Sequence, residues 1–253
     1  MKVISCPICE VEDYEPVVVK NGYQVVRCKR CYLYFVNPQP DNGELKIFYQ
    51  GRQDSYLADY SKKEQSKLRA ARREVKRIRR LVKENQARIL DIGCGCGFFL
   101  REASRVGLDA RGVDLSKSEV EYACQHFSVK AEWANFLDED YQPEVKFKVI
   151  TLFDVIEHWV NPATGLAKCC KLLEPGGFLI VGTPDVSAVK NGRNFADWVE
   201  LKPPEHLFFF SPETLVKLAE KAGFHYHGDF WKLPWRVRIK TVFTKVGKNE
   251  GTR

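Results

Sequence analysis

At 253 residues, 44% of them hydrophobic and 29% charged, the chain is long enough for one sizeable core plus an accessory module and too apolar to be disordered. No apolar run approaches the ~20 residues of a membrane span, and Met1-Lys-Val-Ile-Ser-Cys6 lacks the apolar stretch of a signal peptide, so a soluble, cytoplasmic protein without a membrane span is expected. The net charge of +7 is concentrated: Lys62 to Arg88 carries twelve Lys or Arg against three Glu, a local +9, leaving −2 for the rest.

The first element is a small metal module, residues 1–40. Cys6-Pro-Ile-Cys9 and Cys28-Lys-Arg-Cys31 are two C-x-x-C knuckles 18 residues apart, and in a reducing compartment they point to metal rather than disulfides. Four thiolates make a closed tetrahedral site, so Cys6, Cys9, Cys28 and Cys31 are expected to hold a structural Zn2+ with no open position for catalysis. So short a module buries too little apolar surface to fold alone, and the metal supplies the missing stability. Residues 17–19 and 24–27, with Asn21-Gly22 between them, predict a hairpin that brings the second knuckle back to the first. Ribbons of this kind grip nucleic acid in some proteins and serve as lids or docking modules in others.

Residues 41–85 read as an aromatic linker followed by a basic amphipathic helix. Leu68, Ala71, Val75, Ile78 and Val82 recur at steps of three and four, which places them on one face with the positive residues around the rest. The cationic surface is either a solvated face or an attractor for a phosphorylated substrate, nucleic acid or an acidic partner. Tyr56 and Tyr60, in the linker, are candidates to orient a substrate; the alternative is that the linker's rings pack the ribbon onto the main domain.

From residue 86 the pattern changes. Ile89-Leu-Asp91-Ile-Gly93-Cys-Gly95-Cys-Gly97-Phe98 is an apolar strand that turns through three alternating glycines into a helix, a place where backbone can approach a ligand closely. The spacing departs from the G-x-G-x-x-G that seats a pyrophosphate. A second strand ends at Asp114, 17 residues past Gly97, placed to accept hydrogen bonds from ribose hydroxyls, and Ser116 with Glu119 forms a capping-box pattern for the next helix. Residues 147–153 predict a buried strand ending at Asp154, and residues 173–184 a turn followed by a strand. The irregular stretch 184–210 is a substrate-side insertion in which Phe195 and Trp198 suggest an ordered cover. Ser211 is an N-cap, Pro212 fits the first helical position, Gly223 ends that helix, and two more strands follow near 224–231 and 238–246.

In this order the segments resemble class I S-adenosylmethionine (SAM) methyltransferases. The resemblance implies an α/β fold, a seven-stranded Rossmann-like class I methyltransferase sheet over residues 86–253, with the small N-terminal zinc ribbon in front. Asp-Val-Ile-Glu-His-Trp-Val-Asn-Pro at 154–162 and Pro-Pro-Glu-His-Leu-Phe-Phe-Phe-Ser at 203–211 are similar to the branch of the ubiquinone-biosynthesis O-methyltransferases and many sugar methyltransferases. With the ribbon, the architecture is similar to sugar C-methyltransferases acting on nucleotide-linked deoxysugars. The further C-terminal domain that holds the nucleotide sugar in those enzymes has no counterpart in this sequence, which preserves the reaction class and leaves the substrate open.

What the resemblance implies for single residues is specific. Asp91 holds the methionine ammonium, Gly93, Gly95 and Gly97 pass close to the ribose and methionine part, and Asp114 with Leu115 takes the ribose side. Asn135 and Phe136, after the third strand, are placed to read and cover adenine, the alternative being a plain turn; Asp154 completes the cofactor set. His206 with Glu205 is the expected base and His158 the second choice, since histidine titrates near working pH, the alternative being that each is a structural histidine bonding a backbone carbonyl. Tyr56, Tyr60 and Trp198 are the substrate-side residues. Cys94 and Cys96 are read as small spacers, Cys124, Cys169 and Cys170 as core thiols. The expected reaction is methyl transfer from SAM to a hydroxyl or carbon of a small molecule, a sugar or related metabolite, phosphorylated or nucleotide-linked. The runner-up is an RNA methyltransferase gripping its substrate with ribbon and basic helix, and the third reading is a non-catalytic SAM-binding scaffold.

Overall fold

The computed structural model describes residues 1–41, 43–45, 48, 63–190, 194–230 and 238–246. Tyr56 and Tyr60 lie outside the described residues. The fold is α/β, as expected, with a seven-stranded sheet in the order β10-β11-β8-β7-β4-β5-β6 and a four-stranded sheet in the order β1-β2-β3-β9. The chain divides into two compact units, residues 1–50, 154–167 and 181–243 in one and residues 51–153, 168–180 and 244–253 in the other.

In the second unit β4 (Arg88–Ile92) pairs in parallel with β5 (Asp109–Asp114) on one side and β7 (Phe147–Phe153) on the other, and β5 pairs in parallel with β6 (Lys130–Trp133). A central strand of a parallel sheet is buried along its length, and residues 89–92 are all buried, Asp91 included. Helix α1 (Glu64–Val82) buries the five residues that the periodicity selects, Leu68, Ala71, Val75, Ile78 and Val82. Burying Val75 and Ile78, 2% and 0% exposed, contributes on the order of 2 kcal/mol each. Its basic face is partly answered within the unit. Arg72 joins Arg101 and Arg105 around the carboxylate of Glu102, which is 3% exposed on α2 (Phe98–Arg105).

Helix α3 (Lys117–Phe127) starts as only half of the predicted capping box. The Ser116 hydroxyl accepts the Glu119 N–H at 3.4 Å, but the Ser116 N–H is taken by Asp114 Oδ1 at 2.8 Å. The carboxylate two residues upstream takes the donor that a full capping box would give to Glu119.

In the first unit β1 (Tyr14–Lys20) and β2 (Tyr23–Cys28) form the predicted hairpin, with Asn21 at φ 50° and Gly22 at φ 81°. Two successive positive φ values are what a two-residue turn needs to match the twist of its strands. Strand β3 (Tyr34–Val36) continues the sheet, and β9 (Phe208–Phe209) closes it by pairing with β3. Helix α4 is Pro162–Leu172, and α5 (Pro212–Lys221) opens with a full capping box between Ser211 and Thr214. Strand β8 runs Leu173–Pro184, so the expected turn at its start is absorbed into the strand, with Gly176 at φ 66°. The insertion is less irregular than expected, carrying short 3-10 turns at Val186–Lys190 and Phe195–Asp197. The last strands are β10 (Phe224–Asp229) and β11 (Arg238–Lys245). Among the described residues no helix is long and apolar enough to cross a membrane.

Candidate functional site

The glycine turn sits between β4 and α2. Gly93, Gly95 and Gly97 all have positive φ. Gly97 is confined twice over: at φ 75° a side chain is strained, and a Cβ there would lie 2.7 Å from the Cβ of Ala123 on α3. The turn's amides are used internally. Gly93 N and Cys94 N donate to Val113 O, Gly97 N donates to Cys94 O, and Gly95 N donates to Asp114 Oδ2 at 2.8 Å. A pyrophosphate needs free amides at such a turn, and these four are not free.

Two acids flank it. Asp91 is 3% exposed and its Oδ1 accepts from the Thr151 hydroxyl at 2.6 Å; burial pushes its carboxyl up to about 7. Burial also raises Asp114, against the pull of the Ser116 and Gly95 N–H donors. Just beyond, Leu115 is 54% and Trp133 57% exposed, with the indole Nε1 donating to Leu115 O at 3.0 Å. Asn135 bonds Asp138 Oδ1 and Leu137 N, and Phe136 is buried against Tyr141 beneath the Lys168 ammonium. A hollow of about 530 Å³ opens beside β5 and β6, where turns alone connect β6 to β7; its lining includes Arg111, Lys130, Glu132 and Tyr141 but none of the glycine-turn residues.

The histidines belong to the other unit. His158 ends a short 3-10 turn, Ile156–His158, and His206 precedes β9. Their rings meet edge to face, and each Nδ1 lies against a backbone carbonyl, His158 on Glu205 O at 2.8 Å and His206 on Glu200 O at 2.7 Å. A carbonyl only accepts, so both Nδ1 atoms carry the proton and each Nε2 keeps its lone pair. Burial lowers both rings to about 4, helped at His158 by the charge of the neighbouring His206, so both are neutral near pH 7. Glu157 stands beside them, 1% exposed. Its Oε2 accepts from the Thr183 hydroxyl at 2.9 Å, its Oε1 has no hydrogen-bond partner among the described residues, and burial raises it to about 8. Ligand atoms of Glu157, His158 and His206 lie within 4.8 Å of one another, a donor set of the kind divalent cations use. Nothing local in the sequence signals the burial of Glu157, so the motif around it does not single it out as a site residue.

Asp154, at φ 61°, pairs with Arg238, whose guanidinium also reaches Glu200 at 3.5 Å. Trp198 packs on Phe195 and Phe209, and Phe195 stacks on Tyr34 of β3, so these rings lie along the four-stranded sheet.

The four knuckle cysteines are unpaired by disulfide and place their sulfurs within 4.8 Å of one another. The two knuckles repeat one backbone turn: Glu10 N donates to Cys6 O and Tyr32 N to Cys28 O, with positive φ at Glu10 and Tyr32. The Cys31 thiol's hydrogen bond lowers Cys6 to about 5, while Cys31 is raised, chiefly by that same bond. Four converging soft donors, one already inclined to be a thiolate, suit a tetrahedral zinc.

Residues 60–227 match the family described as "Methyltransferase domain". The ubiquinone biosynthesis O-methyltransferase of Bradyrhizobium diazoefficiens is 26% identical over 201 residues, 70% of this chain and 78% of that enzyme. Against several other enzymes of that name the match spans 40% to 65% of their length. Two solved structures share the fold. The 1,6-didemethyltoxoflavin-N1-methyltransferase of Burkholderia thailandensis, with S-adenosylhomocysteine bound, has a TM-score of 0.59 at 15% identity, covering 91% of this chain and 99% of that one. The amino pentose methyltransferase of Micromonospora echinaspora, with SAM bound, has a TM-score of 0.55 at 18% identity, covering 76% of this chain and 97% of that one.

Proposed function

The chain belongs to the methyltransferase-domain family as a SAM-dependent methyltransferase, and from that premise we propose that it methylates a hydroxyl or carbon of a small molecule, a sugar or related metabolite, with His206 as general base. The observation that carries this reading is the pair of neutral imidazoles whose Nδ1 atoms are tied to carbonyls, which leaves Nε2 to accept a proton. When bound, SAM supplies an activated methyl group on a sulfonium.

The protein's own tasks are alignment and proton removal. Asp114 takes the ribose hydroxyls while its backbone donors hold it in place, and Leu115, with Trp133 beside it, offers an apolar surface to the base. Gly93, Gly95 and Gly97 let the chain pass close to the ligand. Asp91, raised by burial, regains its charge next to an ammonium. Glu205 orients the second ring through its carbonyl bond to His158. Trp198 faces the acceptor, and Asp154 supports the cofactor side. Cys6, Cys9, Cys28 and Cys31 hold a structural Zn2+ within the ribbon over residues 1–40. A phosphorylated or nucleotide-linked acceptor suits the cationic face of α1.

Incubation with methyl-labelled SAM and separated metabolite and RNA fractions tests the proposal. Label in the small-molecule fraction, lost in His206→Ala, is the expected result. Label confined to RNA, with binding that falls as salt rises, would replace it with the RNA reading.

A further inference from the structure

Resting on the reading of His206 as the base, we infer that the four-cysteine ribbon positions His206 and His158, acting through the backbone of Leu207. The second knuckle ends at Cys31, and three residues later β3 begins. Strand β3 pairs with β9, Tyr34 opposite Phe209 and Phe35 opposite Phe208. Beyond that register Val36 N donates to Leu207 O at 2.8 Å, and Leu207 N donates to Glu157 O at 2.8 Å. The residue next to His206 is therefore bracketed between the ribbon and the turn that carries His158. That turn is tied back to the same segment, because His158 Nδ1 donates to Glu205 O.

A second attachment lies at the far end of α5. Lys221 Nζ donates to Glu10 Oε1 at 2.6 Å and reaches Ile8 O at 3.3 Å and Pro7 O at 3.4 Å, all within or just after the first knuckle. Residues 205–221 are thus fastened to both knuckles. Strand β9 is two residues long and terminal in its sheet, with β3 as its one strand neighbour there among the described residues. A ribbon this small holds its shape through its metal, so loss of the metal releases β3, and β9 with the histidine before it loses the edge that fixes it. The cysteines, Val36 and Lys221 are positioning residues on this account; none touches the reacting atoms.

The test withdraws zinc from the full-length protein with a high-affinity chelator under reducing conditions. Released metal is counted, and the ring signals of His158 and His206 are followed by NMR in isotope-labelled protein. Complete release is expected to move both ring signals, to raise both rings toward the ordinary ~6.5 and to lower kcat on the order of 10²-fold. SAM affinity should stay within about threefold, since the contacts assigned to SAM, Asp154 apart, lie in the other unit. Ring signals that do not move after full metal loss would overturn the inference. Loss of SAM affinity in step with the metal would do so too, since it would mean that the whole chain unfolds. Val36→Pro keeps every cysteine and deletes the N–H that bonds Leu207 O. It should retain one zinc per chain and displace the same two ring signals, and unmoved signals again refute the coupling. The base reading is judged separately: a zinc-loaded His206→Ala enzyme at full activity removes that role and leaves the coupling to the ring signals.

Discussion

The imidazole of His158 stands edge-on to that of His206, with ring centroids 4.8 Å apart and planes at 83°. With Nδ1 of each donating to a carbonyl, the pair is locked in one tautomer, and burial keeps both rings neutral down to about pH 4. For a base this sets the acid limb of the rate profile. At saturating SAM, with Asp91 ionised beside the ammonium and Glu157 still protonated, kcat should stay level from pH 7 to about pH 5, because the ring that must accept the proton is not itself protonated in that range. A pH-rate profile with a limb centred near ~6.5 would place the base in an ordinary, solvated setting instead. His206→Ala should lower kcat on the order of 10²-fold or more while SAM affinity, read by calorimetry, is unchanged.

Asp114 spends both carboxylate oxygens on backbone, Oδ2 on Gly95 N and Oδ1 on Ser116 N. Asp114→Ala removes two charge-assisted bonds, loosening the glycine turn and the start of α3 together. Stability should fall by roughly 1–3 kcal/mol in urea titration, and SAM binding should weaken at least about tenfold in calorimetry. Retained affinity would mean that the ribose is held elsewhere.

Gly97→Ala meets two obstacles, φ 75° and a would-be Cβ contact of 2.7 Å with Ala123. The conformational part alone costs about 1–2 kcal/mol. The double variant with Ala123→Gly opens the space without curing the φ, so it should recover part of the lost melting temperature. Full recovery would show that crowding, not backbone conformation, is the constraint.

The buried Glu157 gives a pH signature. Its carboxyl is raised from 4.5 to about 8, so the folded chain keeps a proton that the unfolded chain releases. That contribution is complete below pH 4.5 and lost as pH rises through about 8. The two histidines act oppositely: their contribution is present above pH 6.5 and lost as pH falls toward about 4. Glu157→Gln removes only the first effect. The variant should gain on the parent as pH rises from 4.5 toward 8, at up to about 1.4 kcal/mol per pH unit. Melting curves across that range check it, and a constant difference would contradict a buried, neutral carboxyl.

Features written into short stretches of the chain are legible from its residues alone. Asn21-Gly22 predicts a turn with two positive φ values because few other residue pairs tolerate it, and the three-and-four spacing of Leu68 to Val82 names the buried face of α1 residue by residue. Asp114 and the glycines stand out because strand, turn and acid lie within some two dozen residues. Partnerships across long separations are not legible in this way. Nothing near Phe208 announces that it will pair with Phe35, since a two-residue strand has too little pattern to specify its neighbour. Phe136 shows the same limit: an aromatic after a strand can cover a ligand or fill a core, and no local pattern marks its contact with Tyr141. Glu119 loses its capping partner to Asp114, a competition between two acceptors that sequence spacing does not rank.

With the amides of Gly93, Cys94, Gly95 and Gly97 already satisfied, the turn is formed in advance of any ligand. On the reading that SAM sits at this turn, the donor and its demethylated product would meet the same preformed walls, differing only in the transferred methyl and the positive charge it leaves with. Spent product would then compete for the turn on nearly equal terms, so that sustained turnover would depend on its removal.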